Sequence, residues 1–321
     1  MNISEHIKHI IEENEFDESS TVRKLRTVQS ANSVVRKFRT AQKEGNINKK
    51  EKRYLIMKVF ISADIEGVNN IVTWDETRID EPEYQYFRRQ MTNEVTAAAR
   101  AAHDAGADEV FIKDAHDSAR NLILENLPEY VKLHRGWQGC PCSMMAGLDK
   151  EYDAVIFIGY HSPVSSNGNP LSHTMNLRNV EVRINGILAS EFYINALYAS
   201  YLGVPIAFLS GDKHLTEIVH EANANIRTVA TKEGVYGAVV SKHPNVTNKE
   251  IYDNVKDILT KDLKKNIVEL PKHFDVEIRY KKFTDAYSAS FYPNVELVSD
   301  DTIRFERDDY YEVLRAFKFI L

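Results

Sequence analysis

The spacing of apolar residues along the chain changes near position 57. Before it, Ile7, Ile10 and Ile11, then Val22, Leu25, Val28, Val35 and Phe38, follow helical spacings, which predicts two short amphipathic helices. Residues 1–56 therefore read as a helical N-terminal arm. After it, short continuous apolar runs alternate with helical stretches, the signature of an α/β sheet with crossover helices. Strands are predicted at 58–63, 109–113, 154–159 and 205–209. Helices are predicted at 83–105, closed by Gly106, and at 191–202, ended by Gly203. Beyond Gly211 the pattern predicts a helix at 213–223, a short strand, a helix at 248–264, a β-rich stretch at 275–305 and a last helix from Asp308. The fold class expected is α/β: a mixed or mostly parallel sheet flanked by helices, with a smaller C-terminal α+β part. The matching division is an arm at 1–56, a metal-binding catalytic domain at 57–211 and a C-terminal domain at 212–321.

Composition narrows the possible functions. The 321 residues are long enough for more than one core, and 43% of them are hydrophobic, yet no run of about 18 apolar residues occurs. No membrane span is expected. The net charge of −6 gives no global positive field, so nucleic acid is not expected as a partner. Within the arm the charge is segregated: acids such as Glu12, Glu13 and Glu15 crowd the first twenty residues, and bases such as Arg23, Lys24 and Arg26 dominate the remainder. Pairing of these halves between subunits is one reading. No long apolar stretch follows the N-terminal charges, so a secretory leader is not expected. The only two cysteines, Cys140 and Cys142, stand one residue apart, which suits a reducing, cytoplasmic setting better than a disulfide framework.

In open α/β sheets ligands collect beyond the carboxyl ends of the strands, so the residues after each apolar run carry the candidate chemistry. The first run leads into Asp64-Ile65-Glu66-Gly67, the second into Asp114-Ala115-His116-Asp117, the third into Gly159-Tyr160-His161. Asp64 and Glu66 are two apart, so in extended geometry they point the same way, and one carboxylate can bridge two cations. Glu191 heads a predicted helix and adds a further carboxylate. Asp114 and Asp117 read equally as partners that orient His116 or as a helix-start cap. Mixed imidazole and carboxylate ligation suits zinc, and a pair of such metals activates water and polarises a carbonyl, which implies hydrolysis. His173 follows a loop at 162–170 rich in Ser, Asn, Gly and Pro, the kind of loop that carries a catalytic residue over a cleft.

The series Ser62-Ala63-Asp64-Ile65-Glu66-Gly67, Lys113-Asp114-Ala115-His116, Gly159-Tyr160-His161, Ser172-His173-Thr174-Met175 and Ser190-Glu191 resembles the DppA family of D-aminopeptidases. The resemblance spans about residues 57–321, in order, and includes the strand end Ala207-Phe208-Leu209-Ser210-Gly211-Asp212. It implies a peptidase with two zinc ions per chain in which Asp64 bridges the metals and Glu66, His116, His161 and Glu191 complete the ligand set. His173 would be the catalytic histidine. It further implies release of N-terminal D-amino acids such as D-Ala from short peptides or amino-acid amides, in a cytoplasmic ring-shaped homo-oligomer, a decamer of two stacked pentamers. Residues 1–56 have no counterpart in that pattern.

Two readings of other classes fit the same residues. A binuclear phosphoesterase would use the same ligands with a nearby cation, for which Arg178, Arg183 and Lys213 are candidates by position. A non-enzymatic peptide-binding or assembly protein would work through the arm.

Overall fold

The computed structural model describes residues 56–321, so the expected arm helices lie outside the described residues. In chain order the elements begin with β1 (Lys58–Ala63), α1 (Tyr84–Asp104), β2 (Glu109–Asp114), β3 (Val131–His134), β4 (Ala154–Tyr160), β5 (Asn179–Ile184) and β6 (Ile187–Leu188). There follow α2 (Glu191–Tyr201), β7 (Ile206–Asp212), α3 (Lys213–Ala222), β8 (Arg227–Val235), β9 (Ala238–Ser241) and α4 (Pro244–Ile258). The chain closes with β10 (Phe274–Tyr280), α5 (Phe283–Ala289), β11 (Glu296–Ser299), β12 (Thr302–Arg307) and α6 (Tyr310–Ile320).

Seven strands form the main sheet in the order β3-β2-β1-β4-β7-β8-β9, parallel except for the antiparallel edge strand β9. Every residue of β4 and β7 is buried, as continuous apolar runs between helical layers should be. The order reverses at β1: the chain runs outward through β2 and β3, then returns to place β4 on the other side of β1. Such a switch point opens a crevice at the carboxyl ends of β1 and β4. A second, antiparallel sheet has the order β11-β12-β10-β5-β6. One hydrophobic cluster links the sheets, joining Phe157 and Leu209 of the first to Val182, Ile278 and Phe305 of the second. Phe192 and Ala196 of α2 and Tyr310 and Phe317 of α6 belong to the same cluster.

The α/β class and the mixed sheet are as expected. Residues 58–321 form one compact unit, and position 211 falls inside β7, in the interior of the main sheet. Each sheet takes strands from both sides of that position, since β5 pairs with β10 and β7 with β8. The pairing of β5 with β10 brings together segments far apart in sequence, a contact that local patterning does not encode. The helix predicted at 248–264 begins earlier, because Pro244 occupies its first turn and the His243 side chain accepts the Asn245 N–H.

Under the crevice, α1 buries Glu94 completely. Its Oε1 accepts the backbone N–H of Asn69 at 3.0 Å, whereas Oε2 has no partner. Burial pushes the carboxyl up from 4.5 to about 7. The folded chain therefore holds this proton more tightly than the unfolded one, so stability from this group is full below about pH 4.5 and is lost as pH rises through about 7. Glu94→Gln keeps the acceptor and removes the charge. Its stability advantage over wild type should be near zero at pH 4.5 and grow to about 3 kcal/mol above pH 7, measured by urea unfolding across that range.

Candidate metal centre and substrate cleft

The site is assembled at the switch point by a close approach of backbones. The loop leaving β1 crosses the end of β4, with the Gly67 N–H donating to the Gly159 carbonyl at 2.8 Å. A Cβ on Gly67 would stand 1.7 Å from the Tyr160 carbonyl oxygen, and one on Gly159, whose φ is +71°, would stand 2.3 Å from that of Asp64. Only glycine permits this contact. It sets Asp64 and Glu66 beside His161.

All six residues expected at the site are brought together. Asp64 lies between two histidines: its Oδ1 is 3.4 Å from His116 Nδ1 and its Oδ2 is 3.5 Å from His161 Nε2. Glu66 Oε2 joins the first group at 3.1 Å from His116 Nδ1, and Glu191 Oε2 the second at 3.5 Å from His161 Nε2. Glu191 Oε1 lies 3.4 Å from His173 Nε2. The outcome is two groups of donors sharing Asp64. Ser190 caps α2 by accepting the Tyr193 N–H, and so starts the helix where Glu191 can turn inward.

Each imidazole is held by a backbone carbonyl. His116 Nε2 is bound to the Thr77 carbonyl, His161 Nδ1 to that of Ser162 and His173 Nδ1 to that of Leu171, each at 2.9 Å. The bound nitrogen must carry a proton, which leaves the other nitrogen of each ring facing the carboxylates. Asp114 does not touch the His116 ring: it accepts the Asn121 side-chain and backbone N–H groups and the Leu122 N–H, and Asn121 in turn binds the His116 carbonyl. It orients the loop. Asp212 plays the same part behind His161, accepting the Ser162 N–H and hydroxyl.

Burial raises the Asp64 carboxyl well above its usual range, with the Glu66 charge adding to it. For Glu66 burial acts upward too, but the adjacent His116 outweighs it and holds the group well below. Burial disfavours the His161 imidazolium, yet Glu191 and Asp64 raise it to about 10. His173 goes the other way, lowered by burial and by His161, on whose ring it stacks at 4.3 Å. Against the cost of burial, Glu66 and Asp64 raise His116 as well, so the carboxylates of the cluster favour the protonated forms of two imidazoles. A divalent cation suits the same positions: Asp64 Oδ2, Glu66 Oε2 and His161 Nε2 are enclosed without a hydrogen-bond partner. Asp64, Glu66 and His161 offer ligand atoms within 4.8 Å of one another, as do His161, His173 and Glu191. Oxygen and imidazole donors in this mixture fit zinc.

The centre opens onto a cleft of about 610 Å³. Asp64, Glu66, His116, His173 and Glu191 face it, whereas His161 is fully buried behind them. Its walls include Trp74, whose ring meets His173 edge-on at 5.3 Å, the Cys140-Pro141-Cys142 loop, and Leu314 and Phe317 of α6. Neither Arg178, Arg183 nor Lys213 lines it, which removes the cations proposed for a phosphoesterase; Arg78 and Lys318 reach its rim instead. Sequence reasoning missed Trp74, Thr77 and Asn195. For Asn195 the signal was its position one helical turn past Glu191.

A family model described as D-aminopeptidase matches residues 57–319. The chain belongs to the D-aminopeptidase family. It is a peptidase, as the motif resemblance implied. A D-aminopeptidase of Bacillus subtilis (strain 168) is 28% identical over 264 residues, covering 81% of this chain and 95% of that protein. The solved structure of the Zn-dependent D-aminopeptidase DppA from Bacillus subtilis, a self-compartmentalizing protease, aligns with a TM-score of 0.77 at 26% identity. That alignment covers 81% of this chain and 95% of DppA. Among the described residues no helix is long and apolar enough to cross a membrane.

The backbone crossing gives this family member a direct test. Gly67→Ala should destabilise the fold by about 1–3 kcal/mol through overpacking and weaken divalent-metal binding with it, because Glu66 is the neighbouring residue. Thermal unfolding and metal titration measure both; a variant unchanged in either would show that the crossing does not hold the site.

Proposed function

We propose that this chain is a zinc-dependent aminopeptidase that removes the N-terminal residue, D-amino acids such as D-Ala in particular, from short peptides or amino-acid amides at a two-zinc site. The observation that carries this reading is Asp64, whose two oxygens face two separate groups of donors. Asp64, Glu66, His116, His161 and Glu191 would hold the zinc ions, with Asp64 placed between the two groups. Zinc, when bound, supplies Lewis acidity and makes water acidic enough to ionise near neutral pH.

His173 is the catalytic histidine. Its Nδ1–H is fixed on the Leu171 carbonyl, so Nε2 is the free acceptor, and the residue faces the cleft where His161 does not. It takes the proton of the attacking nucleophile and returns it to the leaving amine. Trp74 packs edge-on against its ring and limits its swing. The cleft accommodates a short peptide, with Leu314 and Phe317 offering apolar surface to its side chains.

The enzyme works in the cytoplasm as a homo-oligomer, a ring of the decamer type. Support for assembly comes from the self-compartmentalizing nature of DppA and from exposed apolar side chains on this chain, including Tyr236, Val240, Phe283 and Phe291. Support for the compartment comes from the two unpaired cysteines.

Elemental mass spectrometry of protein purified without chelators should find about two zinc ions per chain, and a panel of D- and L-aminoacyl amides should show cleavage that chelators abolish. Absence of retained zinc after incubation with the metal would sink the reading. His116→Ala should lose metal and activity together. His173→Ala should keep its zinc while turnover falls by about 10²-fold or more; near-normal turnover in that variant would remove His173 from the mechanism.

A further inference from the structure

A buried hydrogen-bond chain runs beneath the cleft, and its protons can be assigned without ambiguity. Ser62 Oγ bonds to the Met144 carbonyl at 2.9 Å, and because a carbonyl only accepts, the serine proton is committed there. The 2.7 Å contact between Ser62 Oγ and Tyr160 Oη must then use the tyrosine proton. Tyr160 Oη has no proton left to give, so at its 3.1 Å contact with the Asn195 side chain it accepts, and the asparagine presents its NH₂ group. The second proton of that group points to Met144 Sδ at 3.4 Å, another pure acceptor. The orientation of the Asn195 amide is thereby fixed.

This leaves one atom unused. Asn195 Oδ1 has no partner among the described residues, on a side chain only 3% exposed that lines the cleft. The oxygen is not among the atoms sealed in the interior without a partner, so the space it meets is the cleft. Asn195 sits one helical turn past Glu191 on the same face of α2, which puts this acceptor beside the metal centre. We propose that Asn195 Oδ1 accepts an N–H of the substrate's terminal amine and thereby positions the substrate and selects for a free N-terminus. The inference rests on the aminopeptidase reading. An acceptor locked in place by four other groups needs no reorganisation when substrate arrives, and a site built to hold an N–H rejects ligands that lack it. Holding the amine as well as the carbonyl also fixes two substituents of the substrate Cα. Side chain and hydrogen then exchange places between enantiomers, so the same contact lets the cleft walls discriminate D from L.

The test is a binding measurement. D- and L-alanine hydroxamate, and propionohydroxamate, which lacks only the amine, are titrated calorimetrically into the zinc-loaded full chain. Wild type should prefer an aminated ligand by about tenfold or more. Asn195→Leu should abolish that preference and narrow the gap between D and L, with zinc content and propionohydroxamate affinity unchanged. Tyr160→Phe touches no substrate yet frees the amide to turn, and should reduce the preference; Asn195→Asp keeps an acceptor oxygen and should retain it. An unchanged preference in Asn195→Leu, an equal loss for all three ligands, or no preference in wild type overturns the proposal. If the leucine variant does not fold, an unchanged preference in Tyr160→Phe overturns it instead. Cleavage of aminoacyl nitroanilides is scored separately: no cleavage with the amine preference intact refutes the aminopeptidase reading and leaves the Asn195 contact standing.

Discussion

Three carboxylates, those of Asp64, Glu66 and Glu191, are buried within one crevice, and the rest of the site answers to that charge. Removing a carboxylate from water costs several kcal/mol unless an opposite charge meets it. In the metal-free chain the imidazoles of His116 and His161 serve that purpose, which is why both are driven toward the protonated form. A divalent cation would meet the same need with more charge, at positions where carboxylate oxygens and imidazole nitrogens already converge. A cation bound there would displace protons and stabilise the fold at once.

The scaffold contributes rigidity of a specific kind. Main-chain carbonyls of Thr77, Ser162 and Leu171 hold one nitrogen of each histidine, so the ring orientations are set by backbone, which side-chain substitution does not easily alter. Asp114 and Asp212 do for the loops what those carbonyls do for the rings, gathering N–H groups that would otherwise be buried and unpaired. Loops pinned this way can carry function without losing position. The far wall has another origin: α6 reaches the cleft because it packs on α2 in the core between the two sheets. Chemistry therefore sits on the main sheet, and the apolar surface facing it is contributed by the C-terminal part of the chain.

Much of this was legible from residue order. The strand ends at Asp64, Asp114 and Tyr160 mark themselves by a change from apolar to ligating residues, and Gly106 and Gly203 mark helix ends by local backbone preference. Asp64, Glu66, His116 and His161 follow from that logic, because strands in one parallel sheet deliver their carboxyl ends to the same edge; His173 on its loop and Glu191 at the head of α2 do not. A boundary such as 211/212 is harder to read in this way. Strand pairing is a long-range choice, and β5 and β10 are neighbours only after the chain has folded back.

By itself, then, the sequence determined the α/β class, the family and the list of side chains that meet at the crevice, since these depend on periodicity, strand ends and short motifs carried within a few residues. Tertiary structure alone decided that Asp64 would stand between two donor groups, that the Thr77 carbonyl, remote in sequence, would hold His116, and that α6 would wall the cleft. It alone committed the protons of Ser62, Tyr160 and Asn195. Hydrogen-bond direction and the convergence of carboxylates and imidazoles depend on distances of a few ångströms between segments far apart along the chain, and no local pattern encodes those distances.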